Sequence, residues 1–241
     1  VQVGGEPRQV VRPELDFELS RADLRAAADP ETAAREHLMG EVCRPFDLAA
    51  GPLLRVSLLR PGERRTILAL TLHHIVSDGW SMGVLVRELS VLYNAYRAGA
   101  EPPLPPLRIQ YRDYSAWHNR QVAEAAGHRA YWLEKLAGPL PALDLPADFP
   151  RPPVQSFAGA HREIFLNGTL TAGLHRLARE RGGSLFMVLV ALVKTLLHRH
   201  TGQEEILVGS PIAGRNHADL EGQIGFYTNT LALRDRVEGD A

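Results

Sequence analysis

The stretch His73-His74-Ile75-Val76-Ser77-Asp78-Gly79-Trp80-Ser81 ends one apolar run and opens another. Before it, Ile67-Leu68-Ala69-Leu70-Thr71-Leu72 is short, apolar and preceded by charge, the pattern of a buried strand. Side chains alternate across a strand, so His73 and His74 are expected on opposite faces. His74 then sits with Leu68, Leu70 and Leu72, and His73 with Ile67, Ala69 and Thr71. One imidazole can line a cavity while its neighbour packs. Beyond the pair, Met82, Leu85, Val86, Leu89, Leu92, Tyr93 and Tyr96 recur at helical spacing. The motif therefore reads as strand, tight loop and helix start.

Working outward, Leu54, Val56 and Leu58 alternate, and Pro61-Gly62-Glu63-Arg64 can turn that strand back into the one carrying the histidines. Leu15, Phe17 and Leu19 predict a half-buried strand, and residues 31–43 a short helix. The helix after the motif is expected over about 81–98, stopping near Gly99, with Pro102 to Pro106 as a stiff connector. Asp113 or Ser115 can cap a helix running to about Leu136, with Gly127 as an interruption. Proline dominates from Gly138 to Pro153, which places a subdomain boundary there. Ile164 and Leu166 predict a strand. Thr169 is the expected cap of a helix with Leu170, Leu174 and Leu177 inward, ending at Gly182-Gly183. Ser184 starts a more deeply buried helix. Strands follow at Glu205 to Val208, ahead of a Gly209-Ser210-Pro211 turn, and at Phe226 to Leu233. Helices and short strands in this order predict an α/β sandwich.

With 45% hydrophobic content, 241 residues can bury one large core or two modest ones. The 27 basic and 28 acidic residues create no general field for nucleic acid or an anionic membrane, so neither partner is expected. The single cysteine, Cys43, excludes an internal disulfide and a cysteine-cluster metal site. It fits a reducing, cytoplasmic compartment and is expected to be buried. The longest apolar run, Leu185 to Val193, is shorter than the about 20 residues of a membrane span and reads as a core helix. The chain starts Val1-Gln2-Val3-Gly4-Gly5, as if cut from a longer protein. Its arginine and alanine richness fits a bacterial source.

An imidazole titrates near neutral pH, which makes His74 the candidate general base. His73 is expected to pack or hydrogen-bond under the loop and fix the backbone that aims His74. Asp78 has two readings: an N-cap of the following helix, or the partner of a distant arginine that holds the loop. Gly79 permits a backbone angle closed to other residues and lets a substrate approach the main chain, so that its N–H can face a developing oxyanion. Trp80 reads equally as packing. No metal site is expected, because adjacent strand histidines cannot both reach one ion without a sharp bend. Ser77 and Ser81 lie near the histidines, but no Gly-x-Ser-x-Gly elbow of a serine hydrolase is present.

Taken together these segments resemble the condensation domains of nonribosomal peptide synthetases. The HHxxxDG hallmark is matched by His73, His74, Asp78 and Gly79. Pro45-Phe46-Asp47-Leu48 with Gly51-Pro52-Leu53-Leu54-Arg55 is similar to the family's upstream segment, and Tyr111-Arg112-Asp113-Tyr114-Ser115-Ala116-Trp117 to its YxDYAxW motif. Ile224-Gly225-Phe226-Tyr227-Thr228-Asn229-Thr230 resembles IGxFVNT, with Tyr227 and Thr228 departing from it.

The resemblance implies a chloramphenicol-acetyltransferase-like fold. Residues 1–150 would form an N-terminal subdomain lacking its first strand and helix, and 151–241 the beginning of a second. It implies amide formation between a donor aminoacyl or peptidyl thioester and an acceptor amine. Both would be carried on phosphopantetheine arms of upstream and downstream peptidyl carrier domains, with an adenylation domain in the same synthase and no tightly bound cofactor. By the resemblance His74 is the active-site histidine and Asp78 a structural aspartate. Arg215 of Pro211-Ile212-Ala213-Gly214-Arg215 is its expected salt-bridge partner across the halves; Trp80 and Ser81 support the site, and Tyr227 and Asn229 are candidates to line the substrate channel. A related acyltransferase or epimerase and a carrier-docking domain without chemistry are the alternatives.

Overall fold

Proline inside a strand removes one ladder donor, and the first structural consequence is visible just ahead of the histidines. The computed structural model describes residues 1–239 apart from Pro13, Leu15, Asp16 and Phe157, so the strand expected from Leu15 lies partly outside the described residues. The chain begins with two short paired strands, β1 (Gln2–Val3) and β2 (Glu6–Pro7). Next come β3 (Leu19–Asp23), α1 (Pro30–Cys43), β4 (Leu54–Gly62) and β5 (Arg65–Leu72). β4 and β5 form the expected hairpin, with Leu54 opposite Leu72 and Gly62 opposite Arg65. The register slips between Leu59 and Gly62, where Pro61 stands and no backbone N–H is available for the ladder.

β3 runs parallel to β4, from Leu19 opposite Val56 to Asp23 opposite Arg60. Parallel neighbours need a crossover, and α1 supplies it, packing on β4 and β5. Asp29 starts this helix by accepting from the N–H groups of Glu31 and Thr32, with Pro30 preset in the first turn. Leu59 is fully buried in β4, a contribution of about 2 kcal/mol. Cys43, expected inside, is exposed at the last position of α1.

α2 (Gly79–Arg97) starts at Asp78 and ends before Gly99, whose φ of 64° is the left-handed turn that stops it. Its buried positions are Ser81, Val84 and Ala95, whereas Met82, Val86, Tyr93 and Tyr96 of the predicted stripe are exposed. The sheltered face is thus rotated toward the small residues. α3 (Tyr111–Glu124) and α4 (Ala126–Lys135) replace the single helix expected to Leu136, with the break at Ala125 and not at Gly127. Tyr111 opens α3, so Asp113 lies in the first turn and accepts from the N–H of Gln110.

From 136 to 167 no regular element forms among the described residues. The strand predicted at Ile164 and Leu166 is absent there, and Ile164 is 85% exposed; an extended segment without a pairing neighbour is no strand. α5 (Gly168–Glu180) is capped by Asn167, whose side chain accepts from Leu170, in place of Thr169. Leu170 and Leu177, expected inward, are exposed, and Ala178 is the buried residue.

α6 (Leu185–Thr201) starts at Ser184 as expected, yet it is not a core helix. Phe186, Met187, Leu192, Val193 and Leu196 are exposed, because α5 and β6 cover one strip of it and Lys194 is its buried residue. β6 (Glu205–Ile212) continues through the predicted turn at Gly209-Ser210-Pro211 and pairs antiparallel with β7 (Asn229–Arg236). Pro211 is tolerated near the end of this two-stranded ladder. Between them lies the short α7 (Ala218–Glu221).

The mixed α/β class is as expected. Contacts divide the chain into two compact units, one of Val1–His118 with Ala213–Thr228, the other of Asn119–Ile212 with the stretch from Asn229 onward. No single helix among the described residues is long and apolar enough to cross a membrane; α5 and α6 together pass by length and composition but meet at 104°.

Candidate functional site

β5 stops at Leu72, so the two histidines do not share a strand. His73 is extended and caps a single 3-10 turn, His74–Val76, by accepting at Nδ1 from the N–H of Ile75 at 3.0 Å. Its ring meets Phe46 edge-on at 5.8 Å. It thus holds the loop from beneath, the expected support role in geometry, although by capping and not by strand alternation.

His74 is exposed on the first unit. Its Nδ1 lies 2.7 Å from the carbonyl oxygen of Ser77. A carbonyl only accepts, so Nδ1 donates in this contact, and in the neutral ring Nε2 is the nitrogen with the lone pair. The ring also packs edge-to-face with Phe226, centroids 5.1 Å apart at 82°. Among the cavities on this unit, one of about 620 Å³ lies beside Phe46 and Arg55 and another of about 320 Å³ is walled by Tyr114, Trp117 and Leu220. His74 is not among the lining residues of these two.

Both readings of Asp78 hold at once, because a carboxylate has two oxygens. Oδ1 accepts from the N–H of Ser81 at 2.8 Å as the helix cap, and from the Ser81 hydroxyl at 2.7 Å. Oδ2 accepts from the N–H of Tyr227 at 3.0 Å, with the Thr228 hydroxyl at 3.4 Å. The Arg215 guanidinium sits across both oxygens, Nη2 to Oδ1 3.1 Å, and both side chains are 1% exposed. The two residues lie in the same compact unit. Burial alone would push the Asp78 carboxyl upward; hydrogen bonds from Ser81 and Tyr227 and the neighbouring guanidinium outweigh it and hold the group at about 2.

Arg215 is itself fixed on several sides. Nη1 donates to the carbonyls of Leu220 and Gln223, Nη2 donates to the Ser81 oxygen, and the guanidinium lies 4.1 Å from the Tyr227 ring centre. Ser81 is buried, and its oxygen also accepts from the N–H of Gly225 at 3.1 Å. The Trp80 indole donates to the carbonyl of Glu221 at 2.9 Å, so it ties the helix start to α7.

Phe226–Thr228, predicted as the start of a strand, and Gly225 before it give backbone groups to Asp78, Ser81 and Tyr111 instead of to a ladder. Gly214 and Gly225 are required by contact: a Cβ on Gly214, at φ 65°, would strike the Tyr227 carbonyl, and one on Gly225 would come within 2.5 Å of the Tyr111 ring. Gly79 differs from expectation. It has an ordinary backbone angle, and a Cβ there would meet open space, so nothing among the described residues demands glycine.

Tyr227, a channel candidate, is buried and its hydroxyl donates to Gln223 Oε1. Burial pushes its phenol up to about 12, and it packs the site from within. Gln223 Nε2 donates onward to the carbonyls of Ile109 and Asp219. Asn229 opens β7 in the second unit and accepts from the N–H of Thr230. Gln223, the Tyr111 hydroxyl and the Phe226 ring are site components that sequence reasoning missed; only their place inside quoted motifs, for Tyr111 and Phe226, offered a signal. Among the described residues no group of three or more His, Cys, Asp or Glu is gathered to hold a metal ion.

A family model described as the condensation domain matches residues 1–241. A linear gramicidin synthase polypeptide of Brevibacillus parabrevis is 44% identical over 242 residues, which cover 99% of this chain and 5% of that protein. The first condensation domain of the calcium-dependent antibiotic synthetase, solved in complex with a substrate analogue, is similar with a TM-score of 0.69 and 29% identity, over 92% of this chain and 48% of that one. The X-domain solved in complex with OxyB from teicoplanin biosynthesis is similar with a TM-score of 0.79 and 25% identity, over 93% and 50%. The chain thus spans about half the length of these solved chains and a small part of the gramicidin synthase polypeptide.

Proposed function

The chain belongs to the condensation-domain family, and from that premise we propose that it carries the amide-forming site of a nonribosomal peptide synthetase. The acceptor's amine nitrogen bonds to the donor's thioester carbonyl carbon, the carbon–sulfur bond breaks, and the amine's proton ends on the released thiol. Both reactants arrive on phosphopantetheine arms of carrier domains within a cytoplasmic synthase that also holds an adenylation domain. The observation that supports this reading is the exposed His74 with Nδ1–H committed to Ser77, which leaves Nε2 free to take the proton.

An α-amine with a pKa near 8 is already partly neutral at pH 7, so Nε2 has little deprotonation to drive. Holding amine and thioester in reach supplies roughly 7–11 kcal/mol, more than a general base adds. His73 and the Asp78–Arg215 pair act by fixing the loop, with Trp80 and Ser81 in support. Open space at Gly79 suits approach of substrate to its main chain. The same proposal divides the chain near residue 150 into two acetyltransferase-like parts, supported by the irregular stretch 136–167. The test is His74→Ala in the intact synthase: amide formation should slow about 100-fold or more while retaining a residual rate. An unchanged rate would refute the role of His74.

A second reading, docking of a partner protein without chemistry, is favoured by the likeness to a domain solved with OxyB. Carrier binding without turnover in the unmodified synthase would select it.

A further inference from the structure

Three consecutive residues near His74 are clamped by main-chain contacts, and the one side chain among them that this leaves exposed is turned to the imidazole. Ser81 holds the Gly225 N–H at 3.1 Å and lies 2.9 Å from its carbonyl, and Asp78 holds the Tyr227 N–H at 3.0 Å. Between them the Phe226 carbonyl accepts from the Tyr111 hydroxyl at 2.8 Å. Tyr111 reaches it because residue 225 has no Cβ, and its ring is braced edge-on by Tyr227 at 5.2 Å. With its backbone fixed, the exposed Phe226 ring meets His74 at 5.1 Å. One hydrogen bond at Nδ1 leaves the imidazole free to swing, since rotation about the bond to a planar ring has broad wells. A second contact on the ring removes that freedom.

We propose that Phe226 is a positioning residue that holds the His74 imidazole in its reactive orientation, and that Tyr111 acts through Phe226. The proposal rests on His74 taking part in amide formation. It gives the tyrosine of the Tyr111–Trp117 segment a defined part in the site, in which its hydroxyl sets the height of a ring that touches the base, without touching substrate.

The test uses the intact synthase with both carrier domains loaded, and compares kcat and half-saturation by the acceptor carrier. Phe226→Leu should lower kcat by about 3- to 10-fold, the scale of one lost aromatic contact, with half-saturation unchanged. Tyr111→Phe, which deletes a single oxygen, should give a smaller loss of the same kind and keeps the test open if Phe226→Leu folds poorly. Phe226→Tyr should recover most of the loss. In a His74→Ala background Phe226→Leu should have almost no further effect, the non-additivity expected of residues acting as a unit. A full additional loss in that background, a change confined to half-saturation, or unaltered kcat in both single variants would overturn the positioning role. Failure of His74→Ala itself to slow the reaction would overturn the parent reading and this inference together.

Discussion

Around the histidine loop the first unit buries polar groups, whereas the second unit leaves its most apolar helix open. Asp78, Ser81 and Gln223 are 1–3% exposed, and their acceptors and donors are matched by Arg215, Tyr227, Gly225 and Ile109. In α6 the buried side chain is Lys194, paired with Asp235 and the carbonyl of Leu233, while Met187 and Leu196 are more than half exposed. At these two places burial follows the partners available. A polar residue goes inside when a distant segment satisfies it, and an apolar one stays outside when no neighbour covers it.

The largest effect should come from breaking the polar interior. Asp78→Ala strands a buried guanidinium and Arg215→Ala a buried carboxylate, each costing about 3–5 kcal/mol in urea unfolding of the chain. A loss under about 1 kcal/mol in both would mean that water reaches the pair. The next effect is acid sensitivity. Asp78 titrates at about 2 in the folded chain against a reference of 3.8, so its stabilisation is complete above about pH 4 and fades as pH falls through 2. That difference is worth roughly 2 kcal/mol. Unfolding measured between pH 2 and 5 should show a shallower acid loss in Asp78→Asn.

Smaller again, Tyr227→Phe leaves Gln223 Oε1 buried without its donor and should lower the unfolding free energy by about 1–2 kcal/mol. The smallest effect tests the other side of the comparison. Leu196→Gln on the open face of α6 should change stability by less than about 0.5 kcal/mol. A cost of about 2 kcal/mol or more would show that the helix is covered in solution.

What could be read from the sequence was local. The β4–β5 hairpin, α1, the cap at Asp78 and the stop at Gly99 each depend on residues a few positions apart, and each is where the pattern placed it. The candidate site was legible in part of its residue types, since Asp78 and Arg215 do pair with each other. Hidden were the contacts made across the sequence. Gln223 answers to Ile109, 114 positions away, and Phe226 to Tyr111, 115 away. No periodicity encodes such pairs. The same cause misplaced the start of the strand at Phe226: Asp78, Ser81 and Tyr111 take the backbone groups a ladder would use. α6 failed in the opposite sense, because an apolar run states a preference for cover and not its supply.

Asp78 and Arg215 stand 137 positions apart. A ribosome adds roughly 5–20 residues per second, so the carboxylate is synthesised roughly 7–30 s ahead of the guanidinium that will neutralise it. Throughout that delay the nascent chain can already wind α2 on its aspartate cap, yet the loop below has only half its anchors. The later-made segment 213–228 therefore completes the anchors of the earlier loop, and the order of translation leaves the His74 imidazole without its Phe226 contact until that segment arrives.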